Sequence, residues 1–200
     1  MSAAARRVAA ARDLARTGGD DAPVEIAEHD PAWAVRFAAE RDLLAPLLAP
    51  WLAGDVEHIG STAVPGLAAK PIVDIMAAVR DLPAARAEAV PRLEQAAGYQ
   101  FPEAFNEEML REHRLWLCKP SAEHRLFHLH LVAAGSGELQ RHLAFRDHLR
   151  ARPEAAAEYE AVKRDLAARF RHDREGYTAA KTAFVRRVEA NVAPPRGQTP

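Results

Sequence analysis

Two periods of hydrophobic spacing run along this chain, and the change from one to the other divides it. Up to about residue 135, segments alternating at period two are interleaved with helical stretches. Beyond it, apolar residues recur every three to four positions as far as about Val192. "PVEIAEHDPAW" begins as a short extended segment and passes into a helix with Asp30 as N-cap and Pro31 at its first position. Trp33, Phe37 and Leu44 give that helix a core-facing side, and Pro46 or Pro50 ends it. "DVEHI" alternates and is β-branched, so it reads as a strand stopped by Gly60. "STAVPGLAAK" is a loop opening on one helical turn capped by Ser61 or Thr62. "PIVDIMAAV" is nearly all apolar, which predicts a central strand. "LPAARAEAVPRLEQAAGY" predicts a helix that stops at Gly98. "FPEAFNEEMLREH" reads as an irregular, acidic surface loop, and "RLWLCKP" and "RLFHLHLV" as two strands around the turn "SAEH". The helical remainder is punctuated at Pro153 and at "RHDREG", and no internal repeat is visible. The order predicts an α/β (α+β) fold: a small mixed sheet flanked by helices, with a helical C-terminal part from about residue 136.

Composition narrows the function classes. With 48% hydrophobic and 28% charged residues, the 200-residue chain has a soluble, globular make-up. That length suits one domain, at 23–192, with an Ala/Arg-rich extension at 1–22 and a disordered tail at 193–200. A net charge of -1 supplies no global attraction for nucleic acid or an anionic membrane. A small anionic partner, held by a local arrangement, fits better. "LLAPLLAPWLAG" is too short and too proline-broken to span a bilayer, and the N-terminus lacks the apolar core of a secretory signal. The single cysteine, Cys118, excludes an intramolecular disulfide and a cysteine-rich metal cage, and places the chain in the cytoplasm. Nothing in the pattern fixes an oligomeric state.

The stretch "EHIGSTAVPGLAAKPIVDIMAAV" carries the first candidate chemistry. A lone carboxylate among aliphatics is costly, so Asp74 is either exposed at a strand end or met there by something cationic. A strand running into Gly60, Ser61 and Thr62 gathers backbone amides and hydroxyls at one point, an arrangement suited to phosphate. Alternation puts Ile72, Asp74 and Met76 on one face of the following strand. Lysine occurs only at Lys70, Lys119, Lys163 and Lys181, so Lys70 beside this turn marks a compact ammonium in an arginine-biased chain. Spacing alone leaves a tight turn with a helix-capping serine and a hydrogen-bonded aspartate equally open. In "RLFHLHLV", His128 and His130 share a face and can chelate a metal or hold phosphate when protonated. Arg125 is on the other face but, at the strand start, within reach of an anion. Tyr177 and Lys181, four apart, share a helix face, where Lys181 either completes a phosphate site or is a solvated surface lysine. Arg146 and Arg150 have the same spacing with Asp147 between them, and read as a helix face of local ion pairs.

"VEHIGSTAVPGLAAKPIVDI" resembles the signature of the GrpB family, a group within the nucleotidyltransferase superfamily that includes DNA polymerase β. Similarity continues through "HLHLV", "LAFRDHLRARPEAAAEYEAVKRDLA" and "YTAAKTAFV", covering about Val24 to Val192. The superfamily is marked by a hydrophobic residue, Gly-Ser, about a dozen residues, and then Asp-x-Asp/Glu on the adjoining strand. Ile59, Gly60, Ser61 and Asp74 match. The resemblance implies a sheet of nucleotidyltransferase type and a metal-dependent nucleotidyl transfer to a small-molecule acceptor. Gly60, Ser61, Thr62 and Lys70 would hold the triphosphate, and Mg²⁺ (or Mn²⁺) would sit on Asp74.

One departure changes that expectation. Met76 stands where the superfamily has its second acid, and methionine is no useful ligand for Mg²⁺. Transfer on two metal ions needs carboxylates on both. Glu57 is a candidate to complete the set, although it alternates with His58 and only one of the two can face the pocket. The other reading is a non-catalytic nucleotide or phosphometabolite-binding protein. GrpB-like domains also occur joined to dephospho-CoA kinase, which implies a coenzyme A-related ligand.

Overall fold

The computed structural model describes residues 23–103, 106, 113–121 and 124–192. The expected extension at 1–22, the tail at 193–200 and most of the acidic segment lie outside these residues.

The first helix, α1 (Ala32–Leu48), starts where expected: the Asp30 carboxylate accepts the Ala32 N–H at 2.9 Å. It runs two residues past Pro46, whose ring is accommodated inside the helix, and buries Trp33, Leu44 and Leu48. Strand β1 (Leu52–Ile59) leads into a three-residue 3₁₀ turn, Ser61–Ala63, and then into the loop that precedes β2 (Val73–Val79). A short turn, Leu82–Ala84, passes through a π-helical segment, Ala85–Ala89, into α2 (Val90–Ala97). Gly98 ends α2 in the left-handed conformation, as its position predicts. Strands β3 (Arg114–Pro120) and β4 (Arg125–Ala133) precede three helices, α3 (Glu138–Ala151), α4 (Pro153–Arg169) and α5 (Arg174–Val192). Among the described residues no helix is long and apolar enough to cross a membrane.

The four strands form one mixed sheet in the order β1-β2-β4-β3. β2 and β4 run parallel at its centre, and β1 and β3 are antiparallel edges. The nearly all-apolar composition of β2 is thereby explained, since it has strands on both sides and layers on both faces. One face packs on α1 and α2 through Val73, Ile75, Leu115, Leu117, Leu129 and Leu131. On the other face Ile59, Met76, Ala78 and Val132 meet Leu139 of α3.

The acidic segment departs from the surface loop that composition predicts. Glu103 and Asn106 are helical, and Asn106 is fully buried. Its side chain accepts the Trp116 N–H at 2.7 Å and donates to the Trp116 carbonyl at 2.8 Å. That amide substitutes for a neighbouring strand along the edge of β3, satisfying backbone groups that alternation cannot reveal.

The C-terminal helices hold the loop between β1 and β2. Val64 and Leu67 insert among Phe145, Leu149, Tyr159, Phe184 and Val188 of α3, α4 and α5. Ala68 is gripped twice by α4: Glu160 accepts its N–H at 3.0 Å, and the Lys163 ammonium donates to its carbonyl. Arg150 donates twice to the Ala63 carbonyl, at 2.9 and 2.7 Å. A loop so fixed holds Lys70 at a defined place.

Candidate functional site

The register of the two central strands builds the site. Asp74 on β2 pairs with His128 on β4, and Met76 with His130, so Asp74 and both histidines stand on one face. Asp74 also pairs with Ile59 of β1, which brings the following Gly60 over the carboxylate. Gly60 has φ 71° and ψ -171°, a conformation all but restricted to glycine. A Cβ there would lie 2.6 Å from Asp74 Oδ2. Gly60 is therefore required twice, by its backbone angles and by the closeness of the carboxylate.

His128 Nδ1 lies 3.0 Å from Asp74 Oδ1. An ionised carboxylate only accepts, so the proton sits on Nδ1 and Nε2 presents its lone pair. Burial opposes the Asp74 charge, yet the His128 hydrogen bond and the fields of His128, His130 and Lys181 hold its carboxyl well below the usual range. The Asp74 side chain keeps 31% of its surface accessible and that of His128 keeps 17%. The group is enclosed but reachable. Burial is also the main reason that the His128 and His130 rings stay neutral, His130 the more strongly. One donor atom from each of Asp74, His128 and His130 lies within 4.8 Å of those of the other two.

Cations gather beside this group. The Lys70 and Lys181 ammonium groups stand 5.1 and 5.7 Å from the centre of the Tyr177 ring. Burial, reinforced by Lys181, Arg174 and Arg125 against the opposing pull of Asp74, pushes Lys70 down to about 7. Lys181 goes the other way, raised chiefly by Tyr159, with Tyr177 and Asp74 contributing. Arg125 lies 5.4 Å over the Trp116 ring, which meets His128 edge-on at 5.2 Å. The Lys119/Pro120 register shift opposite the start of β4 accompanies the departure of Arg125 from strict alternation. Gly60, Lys70, Asp74, Arg125, His128, His130, Tyr177 and Lys181 thus come together, with the half-buried Ser61 next to Gly60.

Three sequence candidates do not join them. His58 is buried under α1, stacked on Phe37 at 4.6 Å and bonded to Thr62 Oγ1 at 3.0 Å. Burial, partly offset by Asp74, pushes its pKa down to about 4. The Thr62 hydroxyl donates to the Ile72 carbonyl at 3.2 Å, so it neither caps the 3₁₀ turn nor faces a ligand. Glu57 is taken by Arg146, at 2.9 Å, and cannot replace the missing acid. The same Arg146 donates to the His58 carbonyl. Arg146 and Arg150 are therefore tethers between α3 and the turn, not only the local ion pairs their spacing suggests.

The residues present suit Mg²⁺ poorly. That ion takes oxygen ligands, and the cluster offers one carboxylate and two imidazoles. Met76, where the resemblance to nucleotidyltransferases leads one to expect a second acid, is fully buried against Ile59 and Leu139.

Residues 23–191 match the family described as GrpB protein. The chain belongs to the GrpB family. It is 37% identical to UPF0157 protein PA4798 of Pseudomonas aeruginosa over 86% of this chain and 69% of that one. With the glutamate-rich protein GrpB of Alkalihalophilus pseudofirmus it shares 29% identity over 84% of this chain and 95% of that one. It also matches a dephospho-CoA kinase of Mycolicibacterium paratuberculosis, 32% identical over 82% of this chain but 45% of the kinase. Among solved structures, conserved protein GrpB from Enterococcus faecalis superposes with a TM-score of 0.71 at 32% identity, covering 84% of this chain and 96% of that one.

Proposed function

We propose that this GrpB-family protein binds a nucleotide or related small phosphate ester at the open end of its sheet. The observation that carries the reading is the convergence of Lys70, Lys181 and Arg125 beside Asp74 and His128. Lys70 feels Lys181, Arg174 and Arg125 at once, and so many positive groups in a partly desolvated place are stabilised by an anion. The phosphates lie against the two ammonium groups and the guanidinium. The Tyr177 ring backs both lysines and limits their freedom. Asp74, kept ionised, repels the anion from the sheet end and accepts from a sugar or pantetheine-type hydroxyl on the same ligand. The likeness to a dephospho-CoA kinase makes coenzyme A precursors the first such ligands to try.

Nucleotidyl transfer to a small acceptor is the second reading. It is favoured by Gly60 closing on Asp74, the adjacency that the superfamily resemblance implies, and opposed by the buried Met76. In that reaction the same cations offset charge developing on the phosphorus oxygens.

Thermal-shift titrations with nucleotides and coenzyme A precursors test binding, because a ligand selective for the folded state raises the midpoint with its affinity. Wild type should respond to at least one triphosphate or phosphopantetheine compound, and Lys70→Met and Lys181→Met should lose at least tenfold in affinity. No response to any phosphate ester overturns the proposal. Label transferred from the α-phosphate to a metabolite extract, and absent with Asp74→Asn, establishes the second reading.

A further inference from the structure

We infer that His128 and His130, with Asp74 holding the His128 ring from behind, form a binding site for a first-row transition-metal dication, zinc or cobalt in preference to magnesium. The inference does not depend on the phosphate reading.

Adjacent parallel strands fix the three residues. Asp74 and His128 are register partners, and His130 follows two residues along β4 on the same face. Their donor atoms already lie within 4.8 Å of one another. The Asp74 hydrogen bond to His128 Nδ1 fixes the tautomer and turns the Nε2 lone pair outward from it, the support that metal-bound imidazoles usually have.

A second observation points to a ligand. His128 Nε2 and His130 Nδ1 are buried with no hydrogen-bond partner among the described residues. Two orphaned nitrogens close together are uncommon in folded proteins, because each has given up water for nothing. A cation between them accepts both lone pairs. The rings stand at 89° with centroids 6.3 Å apart, so they do not block each other by stacking. Imidazole donors favour zinc, cobalt and nickel over magnesium, which prefers oxygen and retains its water. Met76, alongside His130 in the register, adds no oxygen to reverse that preference. Nearby Lys181 and Arg114 oppose a dication, and the Asp74 carboxylate behind His128 offsets them.

The full chain, stripped of metal by chelator and freed of nucleotide, is dialysed against Zn²⁺, Co²⁺ and Mg²⁺ separately. Bound metal is counted by mass spectrometry and Co²⁺ followed by its visible absorption. One equivalent of Zn²⁺ or Co²⁺ is expected, with affinity at least 100-fold above that for Mg²⁺. His128→Ala and His130→Ala should each weaken it at least tenfold, while the exposed His172→Ala leaves it unchanged. If His128→Ala fails to fold, His130→Gln, of similar bulk, serves. The proposal is overturned by the absence of stoichiometric binding, by Mg²⁺ binding as tightly as Zn²⁺, or by full retention in folded histidine variants. Because no nucleotide is present, failure of the phosphate site leaves these outcomes unaffected.

Discussion

Gly60→Ala should be among the most damaging single-methyl additions this chain can receive. The backbone at Gly60, φ 71° and ψ -171°, lies in a region where a side chain costs about 1–3 kcal/mol. The new Cβ also meets Asp74 Oδ2 at 2.6 Å, Cβ at 3.1 Å and Cγ at 3.2 Å. The carboxylate cannot swing away cheaply, because Oδ1 is bonded to His128. Overpacking of that kind adds about 1–3 kcal/mol, so the total is on the order of 4 kcal/mol. For a chain of this size the melting temperature should fall by about 10 °C. The two contributions separate in a double-mutant cycle measured by chemical denaturation. In an Asp74→Ala background the carboxylate is gone while Cβ remains, so Gly60→Ala should cost about 1–2 kcal/mol less there. The backbone share persists. A total below about 1 kcal/mol would refute the conformational reasoning. An equal cost in both backgrounds would show that contact with Asp74 is not what reserves the position for glycine.

Three further outcomes follow from neighbouring residues. His58, pushed down to about 4, binds its proton more readily unfolded than folded, so its contribution is full above about pH 6.5 and is lost as pH falls toward 4. Over that window wild type should lose on the order of 3 kcal/mol more than His58→Gln, measured by urea unfolding at each pH. Arg150→Ala removes both donors to the Ala63 carbonyl and should cost about 1–2 kcal/mol, with faster amide exchange across the turn; unchanged exchange at Ala63 and Val64 would show that α3 does not hold it. Lys70→Arg should lower the melting temperature, and should do so more at pH 9 than at pH 6. Lys70, pushed down to about 7, is neutral in the fold at the higher pH whereas arginine stays charged; a Tm difference independent of pH would contradict this.

The sheet was largely legible because its strands obey period two and sit between glycines and prolines. Asp74 was legible as the one acid in an apolar strand, and His128 with His130 as a matched pair. What the pattern could not decide was whether Glu57 or His58 of β1 faces the pocket, and neither joins the cluster at Asp74. His58 lies beneath Phe37 of α1, and Glu57 beneath Arg146, a residue 89 positions away. Alternation gives two faces but does not say what covers each. The same limit applies to Arg146, Arg150 and Lys163. Their local spacing allows an ordinary solvated helix face, while their chief partners are backbone or side-chain groups 87 to 95 residues distant. Arg125 eluded strict parity for a different reason, a register irregularity at the end of the partner strand. Fixed periods predict orientation only inside an unbroken ladder.

The scarcity of lysine was a sharper signal than any single lysine suggested. Of the four in the sequence, Lys119 pairs with Glu40, and the other three meet around Tyr177 and Tyr159. Arginine supplies nearly every other positive charge, including the tethers Arg146 and Arg150, where a fixed fork and a permanent charge are advantages. Inside the cluster a permanent charge is a liability. Three cations crowded together repel one another, Asp74 and Glu160 offset only part of that, and burial adds to the cost. An ammonium can relieve this by releasing its proton, which a guanidinium does not do, and Lys70 and Lys163 are both pushed down to about 7, chiefly by burial and then by Lys181. The fold therefore tolerates the cluster near neutrality, and the phosphate proposed to bind there would restore the charges that hold it. The residue type at each position follows from whether the charge there must be permanent or conditional, and that places lysine where the ligand is proposed to bind.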